Sequence, residues 1–315
     1  MENNLEQPLT GDYILRISAA DGMIRAFFAT TRETVNTAVE LHQTSAVVAA
    51  ALGRLLTAGA MMGLMLKNDD DLLTLNIKGD GLVGGLLVTA DRNGHVKGYP
   101  QNPHADVPNK PNGKLDVSGV IGAGTLTVIK DMGFSDPYLG TIELQTGEIA
   151  EDITYYFAQS EQTPSAVSLG VLVDVDYSIR QSGGFIIQLM PGATEETIAY
   201  LERMLSGLDS MTNLYEQGHT PESLAQLLFG EIGYETLART PVCFHCDCSQ
   251  ERAERVLISL GREELTRLKE EDHAASLSCQ FCNRQYQFSE QELDHLIAQC
   301  SAKKQETPEN DHSDS

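Results

Sequence analysis

The chain has 315 residues, 41% hydrophobic and 21% charged, enough for a sizeable core and about two domains. Its formal charge of −23 is spread along the chain, with acidic excess before residue 180, between 181 and 240, and after 241. Such a distribution serves solubility and argues against a nucleic-acid partner, since that binding rests on neutralising phosphates. The opening MENNLEQPLTGDY lacks the basic and apolar segments of a signal peptide. The smooth stretch 45–66 is broken by Arg54, Gly53, Gly59 and Gly63, so a buried helix or helix pair is expected there and no membrane partner. The expected compartment is the cytoplasm.

In chain order, 13–18 and 23–29 read as strands of a hairpin turned at Ala20-Asp21-Gly22. Residues 34–66 have helical spacing of Ala, Leu and Met. Strands are expected at 72–78, 86–90, 95–99, 124–130 and 141–145, a helix over 147–160, and a closing hairpin of 171–177 with 184–190. Strands and helices come in runs without strict βαβ alternation, which predicts an α+β class. A mixed N-terminal core domain over 1–190 follows.

From Pro191 the texture changes. Ile198, Leu201, Leu205 and Leu208 form one helical stripe; Thr220-Pro221-Glu222 starts another helix, with Leu224, Leu227 and Leu228 on its apolar face and Gly230 at its end. Short amphipathic helices of this kind persist only when docked, so 191–240 reads as a helical linker. A small C-terminal domain spans 241–300. Ser249 is placed to cap a helix carrying Ala253, Val256, Leu257 and Leu260, stopped by Gly261. Tyr286 and Phe288 alternate as in a strand, and Ser289 with Glu292 is a capping box for a last helix. Residues 301–315 are polar and expected to be disordered.

Gly79-Asp80-Gly81-Leu82-Val83-Gly84 fits the dinucleotide fingerprint, yet a strand pattern follows where a helix must begin, so a glycine-rich hairpin is expected. With no nucleophile elbow, P-loop or triad spacing either, no enzyme is predicted. The distinctive feature is elsewhere: all six cysteines lie at or beyond position 243, which in a chain expected to be cytosolic points to metal or redox chemistry. Cys279 and Cys282 form a C-x-x-C knuckle. Upstream, Cys243, Cys246 and Cys248 offer either C-x-x-C, giving an ordinary zinc ribbon, or C-x-C; His245 is a spare candidate. Cys248 abuts the proposed cap Ser249, where a helix N-terminus stabilises a thiolate, whereas Cys243 sits in an unanchored loop, so local context favours C-x-C. Cys300 continues the stripe of Leu293, Leu296 and Ile297 and reads as a buried small hydrophobe.

FHCDCSQER (244–252), SLGREEL (259–265) and CQFCNRQYQF (279–288) resemble the C-terminal region of the heat shock protein 33 family. ALGRLLTAGAMMG (51–63), GEIAEDITYYFAQSEQTPSAVSLGVLV (147–173) and SGGFIIQLMPGA (182–193) are similar to it as well, so the resemblance spans nearly the whole chain. It implies a cytosolic, redox-regulated holdase that holds one zinc in its reduced, inactive state, through Cys246, Cys248, Cys279 and Cys282. It further implies Cys246–Cys248 and Cys279–Cys282 disulfides on oxidation, zinc release, unfolding of the switch domain and linker, binding of unfolding client proteins, and a homodimer when oxidised. Two other readings carry less of the sequence. A zinc-ribbon nucleic-acid-binding regulator is opposed by the even negative charge, and a thiol oxidoreductase lacks a thioredoxin-like βαβ setting for its C-x-x-C.

Overall fold

The computed structural model describes residues 10–134 and 136–303. The chain divides into two compact units between His245 and Cys246. Both combine helices and strands, in agreement with the expected α+β class.

The first unit is built on two sheets. Strands β1 (Tyr13–Ala19) and β2 (Ile24–Thr30) form the predicted hairpin; Ala20, Asp21 and Gly22 all have positive φ, which fits the tight turn. Helices α1 (Arg32–His42) and α2 (Ala46–Gly63) follow. They are two elements and not one continuous helix, because Gln43 turns left-handed at φ 50° and Ser45 restarts the chain by accepting from the Val48 N–H. Strands β3 (Leu72–Gly79), β4 (Gly85–Ala90) and β5 (His95–Pro100) come next, then the unforeseen short helix α3 (Val117–Ile121). Strands β6 (Gly124–Asp131) and β7 (Tyr138–Glu143), helix α4 (Ala150–Gln159), and strands β8 (Ser165–Val173) and β9 (Ile179–Leu189) complete the region read as the N-terminal core.

One sheet runs β3, β4, β5, β6 and β7 in the order β5-β4-β3-β6-β7, and the other contains β1-β2-β9-β8. Helix α2 packs against strands of both, and its side chains are buried nearly all round. Among the described residues it is the helix long and apolar enough to cross a membrane, but 89% of it is buried inside this unit, where it serves as the core helix. Arg54, its only charge, is neutralised by Glu148 at 2.7 Å. The glycine-rich segment is the expected β3–β4 hairpin: a Cβ on Gly81 would lie 2.4 Å from the Val120 carbonyl oxygen, so glycine is needed there for close packing against α3.

Residues 191–240 belong to this same unit. Helices α5 (Glu195–Ser206) and α7 (Pro221–Phe229) carry the predicted stripes, except that Leu227 is 44% exposed and turns away from the apolar face, and the unforeseen α6 (Met211–Glu216) lies between them; caps sit at Thr194, Ser210 and Thr220. Their apolar faces pack on the side of the β1-β2-β9-β8 sheet opposite α2. Leu201, Met211, Leu214, Leu224 and Leu228 meet Leu15, Ile17, Phe28, Phe185 and Ile187 in a second core. The segment is not helical throughout. Strand β10 (Tyr234–Pro241) pairs antiparallel with β1, extending the sheet to β10-β1-β2-β9-β8, and the two-residue β11 (Cys243–Phe244) pairs parallel with β5. The linker pattern hid β10 because YETLARTP lies at a sheet edge and shows no clean alternation.

The second unit has α8 (Gln250–Leu260), α9 (Arg262–Asp272), the hairpin β12 (Ala274–Ser278) and β13 (Gln285–Ser289), and α10 (Glu290–Lys303). Ser249 caps α8 and Gly261 ends it, as expected, and Ser289 with Glu292 forms the reciprocal box ahead of α10. Helix α10 runs three residues into the stretch expected to be disordered; the rest of that stretch, 304–315, lies outside the described residues. The opening residues 1–9 do also.

Candidate metal centre

The second unit buries few apolar side chains. Ala253, Leu257, Leu265, Tyr286, Phe288, Leu293 and Leu296 form its core, and Cys248, Cys279 and Cys300 pack partly buried against them. A core this small supplies only a few kcal/mol, so a further cross-link is required for a lasting fold.

Two local structures bring thiols to one point. At the tip of the β12–β13 hairpin the Cys279 N–H donates to the Arg284 carbonyl at 2.9 Å. The Asn283 N–H donates to the Cys279 carbonyl at 2.8 Å, with Asn283 left-handed at φ 57°. This tight knuckle turns Cys279 and Cys282 to the same side. On the other arm, Cys246 and Cys248 precede the capped start of α8, where Ser249 accepts from the Arg252 N–H at 3.2 Å and Arg252 pairs with Asp247.

The sulfurs of Cys246, Cys248, Cys279 and Cys282 all lie within 4.8 Å of one another. The Cys246–Cys279 separation is 3.6 Å and the Cys248–Cys282 separation 3.3 Å. A tetrahedral site with metal–sulfur bonds of about 2.3 Å has edges of about 3.8 Å, so the group fits one metal ion with little adjustment. Among the described residues this is the group of His, Cys, Asp and Glu side chains that could hold a metal.

The other candidates lie elsewhere. Cys243 is exposed on β11 in the first unit, where its N–H donates to the Gly94 carbonyl at 3.1 Å. It is anchored in a strand and not in the free loop expected from Pro241-Val242. The neighbouring His245 ring stacks on His95, with centroids 4.6 Å apart. His273 closes α9 and His295 is exposed on α10. Cys300 is partly buried, its sulfur 3.8 Å from the Ile258 carbonyl, in keeping with its reading as a small hydrophobe.

Two contributors escaped the sequence. Burial raises the Cys248 thiol, but the nearby Tyr286 hydroxyl and the three partner thiols outweigh it and lower the group to about 7. Arg284 adds a positive charge toward Cys248 and Cys282. Alternation reveals Tyr286 only as a strand residue; its second role depends on the hairpin returning it beside a thiol far away in sequence. Burial instead pushes the Cys246 and Cys282 thiols up. These two are mainly protonated at neutral pH, so binding a metal must displace their protons. Metal affinity is therefore expected to fall as pH is lowered, with proton release on uptake at neutral pH, measurable in a weakly buffered titration. A pH-independent affinity without proton release would contradict thiolate ligation.

A family model described as Hsp33 protein matches residues 12–289. The chain is similar to the 33 kDa chaperonin of Agathobacter rectalis, 51% identical over 285 residues, covering 90% of this chain and 99% of that protein. It is also similar to the 33 kDa chaperonin of Clostridioides difficile, 49% identical, covering 91% and 98% respectively. The crystal structure of the Thermotoga maritima 33 kDa chaperonin, a heat shock protein 33 homolog, superposes with a TM-score of 0.85 at 33% identity, covering 93% of this chain and all of that one.

Proposed function

The chain belongs to the Hsp33 family of chaperones, and from that premise we propose a redox-gated holdase whose second unit is the gate. Family membership implies binding to unfolded client proteins. The observation that carries the gate is the convergence of four sulfurs in a unit with only a small apolar core. An all-sulfur tetrahedral donor set suits zinc. Cys246, Cys248, Cys279 and Cys282 would be its ligands, one ion per chain. When bound, zinc ties the α8 arm to the hairpin knuckle, a cross-link worth on the order of 10–16 kcal/mol in small zinc domains.

The same thiolates are what an oxidant attacks. A thiolate takes one oxygen from peroxide to become a sulfenic acid, and a second thiolate then displaces that oxygen as water. Each disulfide thus consumes one peroxide and removes two ligands. In the folded unit the crossed pairs Cys246–Cys279 and Cys248–Cys282 lie 3.6 and 3.3 Å apart. We assign the disulfides to Cys246–Cys248 and Cys279–Cys282 nonetheless, because these close the shortest loops once the fold is loosened. Peptide mapping of the oxidised chain tests the assignment, and crossed pairs would contradict it.

Client-binding surface comes from the first unit. Helices α5 to α7 are short and dock on the β1-β2-β9-β8 sheet of that unit. Loss of the second unit frees the chain beyond β11 and lets these helices loosen, exposing both their stripes and the sheet face beneath. The oxidised chain is expected to dimerise, and the reaction to belong to the cytoplasm. On α5, Leu201 is 6% exposed and Leu205 is packed against the same core. Leu201→Asp with Leu205→Asp is expected to give partial suppression of client aggregation without oxidant. Leu227→Asp, at a side chain 44% exposed on α7, should give none. Equal activity from the two variants would contradict the docking account.

A further inference from the structure

Strand β8 is an edge of its sheet and pairs only with β9. The Leu189 N–H bonds the Pro164 carbonyl, so the register places the hydrogen-bonded pairs at 166, 168, 170 and 172. The N–H and C=O groups of Val167, Leu169 and Val171 therefore point outward, and among the described residues they have no partner.

Edge strands are normally guarded by charge, proline or shortness. The opposite edge, β10, carries Glu235, Arg239 and Pro241, and in the other sheet β11 has two residues and β7 ends on Glu143. Strand β8 reads SAVSLGVLV over nine residues, with no charge and no proline. It borders a groove of about 620 Å³ that follows it from Val167 to Val173. Val167, Leu169 and Val171 pack toward the core around α2 and α4 on one side. On the other side α6 closes in: a Cβ on Gly170 would lie 2.9 Å from that of Met211. Arg54 lines the same groove, and its buried Nε has no acceptor among the described residues.

We propose that this recessed β8 edge binds clients by strand addition, taking an extended, uncharged segment of an unfolding polypeptide as a further strand. Main-chain pairing recognises extended backbone whatever its sequence, and seven residues of edge extend about 20 Å. Such segments are buried in folded proteins and appear only when clients unfold. A second copy of β8 fits less well, because an edge set back between α6 and the 109–115 loop cannot meet another that is equally recessed. The chain's own end, KQETPENDHSDS, is acidic and carries a proline, unsuited to such pairing. Helix α6 lies in the segment whose loosening the holdase reading requires, so oxidation would remove one wall of the groove. The inference rests on that reading.

Hydrogen exchange on the oxidised full-length chain, with and without reduced, carboxamidomethylated α-lactalbumin, tests it. The amides of Val167, Leu169 and Val171 should gain protection with the unfolded protein present. Val167→Pro removes an outward donor without breaking a bond to β9, and should weaken binding at least tenfold while zinc release stays normal. Binding by the wild-type chain without protection at these amides would overturn the site but not the holdase reading. Protection at β8 that depends on chain concentration and not on α-lactalbumin would assign the edge to a second copy and overturn it as well. A wild-type chain that binds no unfolded protein in either redox state overturns both.

Discussion

Replacing any one of Cys246, Cys248, Cys279 or Cys282 with serine is expected to abolish tight zinc binding, to unfold residues 246–300 and to loosen α5 to α7, while leaving the rest of the first unit intact. A hydroxyl in place of a thiolate removes an anionic donor from a site whose four sulfurs lie within 4.8 Å of one another. The loss falls on a unit whose small core cannot make up a cross-link worth on the order of 10 kcal/mol. The zinc-to-protein ratio of the reduced variants should fall from one to near zero, with lost helix signal confined to the second unit and α5 to α7. Cys243→Ser should leave zinc unchanged, because that side chain is exposed on β11. Cys300→Ser should cost little more than a packing adjustment. If Cys243→Ser loses zinc while Cys248→Ser keeps it, the ligand set is wrong.

Oxidation by peroxide with mild heat is expected to raise hydrogen exchange across roughly 191–300 and to change it little before Met190. The described part of the first unit offers the oxidant no thiol before Cys243, and its core is organised around the buried helix α2. Helices α5, α6 and α7, with twelve, six and nine residues, are too short to persist away from the sheet. Suppression of aggregation should appear with the exchange, and reduction with zinc supplied should reverse both. Full protection of α5 to α7 in an active, oxidised sample would contradict the mechanism.

Much of this was legible in the sequence because it rests on local chemistry. The Ala20-Asp21-Gly22 turn, the Ser249 and Thr220 caps, the Ser289–Glu292 box and the C-x-x-C knuckle are short-range patterns with one favourable geometry each. The placement of Cys248 beside a capped helix start likewise pointed to the C-x-C arm, and Cys246 and Cys248 do meet the knuckle in space. What escaped depends on long-range pairing. Strand β10 is defined by β1, more than two hundred residues earlier, and β11 by a two-residue pairing with β5. The surface beneath α5 to α7 is equally hidden, since an amphipathic stripe shows that a helix docks without showing where. The influence of Tyr286 on Cys248 exists only through the hairpin register.

The central claim is that metal loss and client binding are one event. It is tested most directly by a stepwise peroxide titration of the reduced chain, following released zinc, remaining thiols and aggregation suppression on the same samples. The account predicts one zinc released as four thiols disappear, with activity rising in proportion to the zinc released. Full activity while zinc remains bound, or complete zinc release with no activity, would contradict it.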